Sequence, residues 1–205
     1  DGCRLSKASV LVYNHCNMTD FEMQLKKVKG KQILVVTDSV FSMVGDVAPL
    51  QEMIALKKKY RFKLMIDDAH ATGIVDTNFS GVDIHMGTLS KSLGNQGGYV
   101  AGSQDLIDFL KNKSRPFFFS TGLNPVNCAG ALEALKIIQK DKTLKKKLLS
   151  NAAYLRDGLR DLGYTISGDL HILALVLPSI AMTMRFQVEL EKLGIFVTGI
   201  RPPTV

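Results

Sequence analysis

"MIDDAHATGIV", residues 65–75, is an apolar run that stops abruptly at two carboxylates and a histidine. Met65 and Ile66 suit a buried strand. Asp67, Asp68 and His70 do not, because an unpaired buried charge is expensive. The break reads as the carboxyl end of a buried strand followed by a polar turn, which is where open α/β sheets bind ligands. A carboxylate held there stays ionised when something cationic faces it. Three partners fit the residue types. One is a metal ion held by Asp67, Asp68 and His70. Another is a protonated ring nitrogen of a cofactor. The third is structural: a helix start capped by Asp68 or Thr72, with His70 merely satisfied.

The rest of the chain supplies the sheet that such a strand needs. Ile33–Val36 is a short β-branched run and reads as a buried strand. Residues 48–61, "APLQEMIALKKKYR", place Leu50, Met53, Ile54 and Ala55 on one face and predict an amphipathic helix, with Pro49 in its first turn. Phe62–Ile66 is the next strand, Gly81–Met86 a short one, and "GGYVAG" (97–102) a strand with close backbone approach at its glycines. A helix is expected over Gln104–Lys111, a short apolar strand over Phe117–Phe119, a long helix over Pro125–Lys140 and another from about Leu144 to Leu162. This alternation predicts an α/β fold with a mainly parallel sheet flanked by helices. After Gly163, a strand (Ile172–Leu177), a helix (Met184–Leu193) and a strand (Ile195–Thr198) predict an incomplete C-terminal α/β subdomain. The expected organisation is a large unit over 1–150 and the start of a smaller one over 151–205.

Composition sets limits. The 205 residues are 46% apolar and 22% charged, with a net charge of +7. That is ordinary for a globular protein. No stretch approaches the ~18 apolar residues of a membrane span, and no signal-peptide pattern opens the chain. Cys3, Cys16 and Cys128 are scattered. They suggest neither a disulfide framework nor a zinc site, and they fit a reducing, cytoplasmic setting. The lysine runs 57–59 and 145–147 read as solvated helix faces. With no Trp and no aromatic-studded basic stripe, nucleic acid is not expected as a partner.

A second stretch, "GTLSKSLGNQGGYVAG" (87–102), places Lys91 among hydroxyls and glycines. Thr88 and Ser90 can donate to a phosphate, and the glycines let backbone approach a ligand. The spacing is not that of a phosphate-binding Walker loop. A lysine in a partly desolvated site can also attack an aldehyde. An aspartate, a histidine three residues on, and a lysine beside hydroxyls together meet the needs of a pyridoxal phosphate site. The carboxylate keeps the ring nitrogen protonated, so that the ring can act as an electron sink.

Five stretches carry a resemblance across essentially the whole chain: "VVTDSVFSMVGDVAPL" (35–50), "LMIDDAHATGIV" (64–75), "MGTLSKSLGNQGGYVAG" (86–102), "RPFFFSTGLNP" (115–125) and "GIFVTGIRPPTV" (194–205). In that order they resemble the α-oxoamine synthases, a branch of the fold-type I pyridoxal phosphate enzymes within aminotransferase class II. The resemblance implies that Lys91 forms the Schiff base, Asp67 pairs with the pyridine nitrogen, and His70 contacts the ring's phenolic oxygen. It implies that Thr88 binds the phosphate and Ser42 lies beside the ring. It further implies a homodimer with a shared active site, in which Ser120 and Thr121 reach the phosphate of the neighbouring subunit. The implied reaction is a decarboxylative condensation of an amino acid with an acyl thioester. "TGIRPPTV" is most like the biotin-pathway branch, which joins L-alanine to a pimeloyl thioester. "DGCRLSKA" is like the glycine C-acetyltransferases.

The match has gaps. Family members are nearly twice this length, and the histidine that stacks on the ring and the arginine that binds the substrate carboxylate fall outside the chain. The chain is therefore expected to be a fragment, and a catalytically silent remnant is the alternative of a different class. Cys16 and Asn17 stand where the family commonly has Asn-Asp, and Val44 stands where an acidic residue is usual. His15, His85 and His171 show no ligand spacing to one another.

Overall fold

In the computed structural model, which describes residues 2–75 and 80–204, β1 (Leu34–Asp38) and β2 (Lys63–Asp67) pair in parallel. Asp1 and Val205, the outer limits of the two expected units, lie outside the described residues. β2 pairs in parallel with β3 (Ile84–Thr88), and β3 pairs antiparallel with β4 (Gly98–Gly102). The sheet order is β1-β2-β3-β4, so the sheet is mainly parallel as expected. The direction of β4 follows from the short connection 89–97. A parallel return needs a crossover of a dozen residues or more.

Two helices, α2 (Met18–Lys27) and α3 (Leu50–Tyr60), cover one face of the sheet. Their Phe21, Leu25, Leu50, Met53 and Tyr60 close over Val35 of β1 and over Leu64 and Ile66 of β2. β1 and β2 alternate buried and more exposed residues rather than burying every one, which is the period of two of a strand with one covered face. The β-branched content of 33–36 signals a strand but does not distinguish one covered face from two. On α3, Ala55 is exposed, so the buried face is narrower than the sequence suggests. Arg61 ends this helix in the left-handed conformation, its N–H bonded to Lys57 O. α2 begins where Asn17 accepts the Asp20 N–H, an N-cap.

The remaining elements are α1 (Gly2–Leu5), α4 (Gln104–Lys113), α5 (Arg115–Phe119), α6 (Pro125–Lys140), α7 (Thr143–Asp161), β5 (Ile166–Ser167), β6 (Ala174–Leu175) and α8 (Ile180–Lys192). Ser103, Asn124 and Ser179 cap α4, α6 and α8. α7 runs through position 150, the expected boundary, and leads into the small antiparallel β5–β6 pair and α8.

Two expected strands are not strands. Phe117–Phe119 form the end of helix α5, because Pro116 suits a helical first turn. Their side chains are 58–71% exposed, not core as the sequence suggests. Ile195–Thr198 follows Gly194 (φ +78°) as irregular chain, with no strand pairing to it among the described residues. No described helix is long and apolar enough to cross a membrane.

Candidate active site

The carboxyl ends of β1, β2 and β3 form a ledge. Asp38 stands opposite Asp67 in the β1–β2 register, and Asp67 opposite Met86 of β3. Asp67 Oδ1 accepts the Ala69 N–H at 2.8 Å, which orients the carboxylate as the chain turns. Asp68 points the other way. It is 4% exposed, accepts Ser39 Oγ at 2.6 Å through Oδ1, and faces His85 Nδ1 at 3.3 Å through Oδ2. Its backbone carbonyl accepts from Ala71 N–H, Thr72 N–H and Thr72 Oγ1. Asp68 is thus a structural acid that ties the turn to β1 and β3, and it is not offered to a metal. Among the described residues, Asp67, Asp68 and His70 do not gather around one ion position.

The turn at 69–74 carries His70 back over the sheet. Tyr99 of β4 lies across Gly87 of β3 and meets Thr72 Oγ1 at 2.9 Å. A Cβ at Gly87 would sit 2.5 Å from the Tyr99 hydroxyl, so the glycine is a packing requirement.

After β3, Thr88 Oγ1 donates to Gly97 O at 3.1 Å, lies 2.8 Å from Ser90 Oγ and accepts the Ser90 N–H. Leu89 N–H donates to Gly97 O, Asn95 N–H to Leu89 O and Gly94 N–H to Lys91 O. The loop is closed and self-bonded. Leu89 and Leu93 are buried against Ala131 of α6, with Tyr99, Ala134 and Ile138 packed alongside. Lys91 and its neighbours stay exposed. The two leucines therefore clamp the loop and aim the lysine away from the core.

A cleft of about 560 Å³ opens here, lined by Ser42, His70, Lys91 and Ser92 and, from further along the chain, by Leu148 and His171. That volume suits a cofactor-sized ligand. Ser42 arrives on a tight turn in which Phe41 N–H donates to Asp46 O and Gly45 N–H to Phe41 O. A Cβ at Gly45 would lie 2.1 Å from Ile172 O, so the glycine lets segment 168–172 close in and bring His171 to the cleft. Asp67 and Thr88 do not line the cleft. They stand on the strand ends beside it.

The charges couple. Burial, and then Lys91, hold the His70 imidazole below its ordinary value, with Asp67 opposing. Burial pushes the Asp38 carboxyl up; Asp67 adds to this and Lys91 offsets part. Both groups thus sense Asp67 and Lys91 together, and the shift at His70 favours its neutral imidazole. Burial, and then His70, lower His171, and its buried Nδ1 has no hydrogen-bond partner among the described residues.

Of the residues expected from sequence, Ser42, His70 and Lys91 meet in one cleft, with Asp67 and Thr88 at its edge. Ser120 and Thr121 lie elsewhere, exposed just after α5. Sequence reasoning missed Asp38, although "VVTDSV" ends in the same apolar-to-acid break as β2. It also missed His171, for which no local signal exists. The arrangement offers an anionic edge, a neutral imidazole, an amine and a pair of hydroxyls around a slot, which fits a flat, phosphorylated cofactor with a basic ring nitrogen.

The family model for aminotransferase class I and II matches residues 1–205. The chain belongs to that family. It is 42% identical over 215 residues to 8-amino-7-oxononanoate synthase 2 of Bacillus subtilis, covering all of this chain and 55% of that protein. It is 41% identical over 217 residues to 8-amino-7-oxononanoate synthase of Lysinibacillus sphaericus, covering all of this chain and 56% of that protein. The solved structure of Sphingomonas wittichii serine palmitoyltransferase superposes with a TM-score of 0.92 at 30% identity, over all of this chain and 55% of that one. The fold is therefore that of this fold-type I group. The chain spans about half the length of the relatives it matches.

Proposed function

We propose that this chain carries the cofactor half of a pyridoxal phosphate-dependent acyltransferase that condenses L-alanine with a pimeloyl thioester to give 8-amino-7-oxononanoate. The observation that carries the reading is the cleft that joins Ser42, His70 and Lys91 beside the strand-end carboxylate of Asp67. The names of the related synthases supply the product.

Pyridoxal phosphate, when bound, supplies an electron sink that stabilises negative charge on the amino acid's α-carbon. Lys91 would hold the cofactor at its aldehyde end, and its amine would serve as the base that takes the substrate's α-proton. The Asp67 carboxylate holds a proton on the ring nitrogen, and the Ala69 N–H fixes its angle. His70, half-buried and with its imidazole held below the ordinary value by burial and Lys91, would contact the phenolic oxygen. Ser42 would stand beside the ring, and Thr88 and Ser90, already paired, would hold the phosphate.

The partner in this reading is a second copy of the chain. Ser120 and Thr121 follow three exposed phenylalanines, an apolar patch suited to an interface, and from there they reach the other copy's phosphate. The three cysteines are free, which fits a cytoplasmic setting. The likeness to a serine palmitoyltransferase favours serine as the competing amino acid, and the resemblance to glycine C-acetyltransferases favours glycine. Turnover of alanine, glycine and serine, each with pimeloyl and acetyl thioesters, separates them in the full-length protein. Preference for alanine with the pimeloyl thioester supports the proposal. Preference for another pair replaces it, and turnover by a chain extended at both ends but none by this chain favours a silent remnant.

A further inference from the structure

We propose that His15, Cys16 and Asp46 form a site for a soft divalent cation, with zinc the best fit. The site is separate from the cleft, and none of the three lines it. His15 Nε2 lies 3.6 Å from Cys16 Sγ, Cys16 Sγ 3.7 Å from Asp46 Oδ2, and His15 Nε2 2.6 Å from Asp46 Oδ2. Tetrahedral zinc with ordinary bond lengths sets such ligand atoms roughly 3.3–3.7 Å apart. Two of the three spans already match. The third is a hydrogen-bonded contact that opens by about 0.8 Å when a metal replaces its proton. The ligand types, thiolate, imidazole and carboxylate, are those zinc takes.

Asp46 Oδ1 is buried and, among the described residues, has no hydrogen-bond partner. A buried acceptor left this way costs free energy, and a cation reached by both carboxylate oxygens would offset that cost. His15 is 52% exposed and Asp46 34% exposed, so a fourth position opens to water. Both ligand-bearing turns are fixed beforehand. Asn14 N–H donates to Asp20 Oδ2 at 2.7 Å, Asn17 caps α2, and the Phe41–Asp46 turn is closed by two backbone bonds. The His15 ring stands edge-on to Phe41 at 4.4 Å.

Cys16 has φ +52°. Asn tolerates this left-handed region better than most residues do. The chain thus carries a metal-binding thiol at a backbone position that disfavours it. On binding, a zinc–sulfur bond forms and the thiol proton leaves to solvent, while His15 binds as the neutral imidazole. The metal would join the 13–17 turn to the turn that carries Ser42.

The test uses zinc and cobalt(II) chlorides as probes, with Cys3 and Cys128 replaced by serine in the full chain. Cys3 and Cys128 are exposed and would otherwise compete. The expected result is one equivalent of zinc per chain by competition with a chromophoric chelator, and a thiolate-to-cobalt charge-transfer band. Cys16→Asn, which suits the left-handed backbone, is expected to lose the band and to weaken zinc binding by at least about tenfold. Asp46→Asn, a second route to the same answer, is expected to weaken binding by a similar factor. Absence of the band in the parent protein, or unchanged zinc affinity in Cys16→Asn, would overturn the proposal.

Discussion

Replacing Asp67 with asparagine removes a charge and keeps the shape. The Ala69 N–H can still donate to the amide oxygen, so the turn survives. What is lost is the anion that, in the proposed site, would face the ring nitrogen. A hydrogen bond to a charged group contributes about 1.5–3 kcal/mol, which corresponds to about 10- to 150-fold in affinity. The half-buried position and the self-bonded turn argue against a collapse that would compensate. A second effect follows on the ledge: with the like charge gone, the Asp38 carboxyl moves back toward the ordinary carboxylate range, because Asp67 is one of the groups that raise it. The assay is cofactor titration by absorbance at neutral pH, for the parent chain, Asp67→Asn and Asp68→Asn. Asp68 serves as control because its oxygens are used by Ser39 and His85; its loss is expected to lower stability by about 1–3 kcal/mol. Unchanged affinity in Asp67→Asn would refute the reasoning.

Asp38→Asn is expected to stabilise the cofactor-free chain at neutral pH. The folded pKa of Asp38 is raised, so its ionisation disfavours the fold as pH climbs past the unfolded value of about 3.9; the gain should fade below that pH in thermal melts. Asp83 has the opposite sign. Burial pushes it up, but bonds from Lys57, the Leu64 N–H and Lys63 outweigh this and hold its carboxyl below the usual range. Asp83→Asn should therefore destabilise at neutral pH, by about 1–3 kcal/mol in denaturant titrations, and the difference should shrink as pH falls below about 3.9. Leu64→Ala empties a fully buried position under α3 and should cost about 2–5 kcal/mol in the same assay.

The reading from sequence worked where chemistry is local. The apolar-to-acid break located Asp67 because a buried strand cannot hold a bare carboxylate. Hydroxyl and glycine neighbours marked Lys91, and the apolar face of 48–61 announced α3. It failed where tertiary placement decides. Phe117–Phe119 is an apolar run of no fixed period, and only the position of α5 determines that it faces solvent. His171 meets His70 across a hundred positions of chain, held there by the Gly45 contact with Ile172. Cys16 joins Asp46 in the same way, so scattered cysteine spacing gave no hint of that cluster. The direction of β4, by contrast, was open to inference from the brevity of 89–97.

The central claim is that the Lys91 amine and the Asp67 carboxylate serve one bound pyridoxal phosphate. The direct measurement is incubation with the cofactor, borohydride reduction and peptide mass spectrometry. The account predicts one label per chain, on Lys91, and less labelling in Asp67→Asn at limiting cofactor. A label spread over other lysines, or none at position 91, would contradict it.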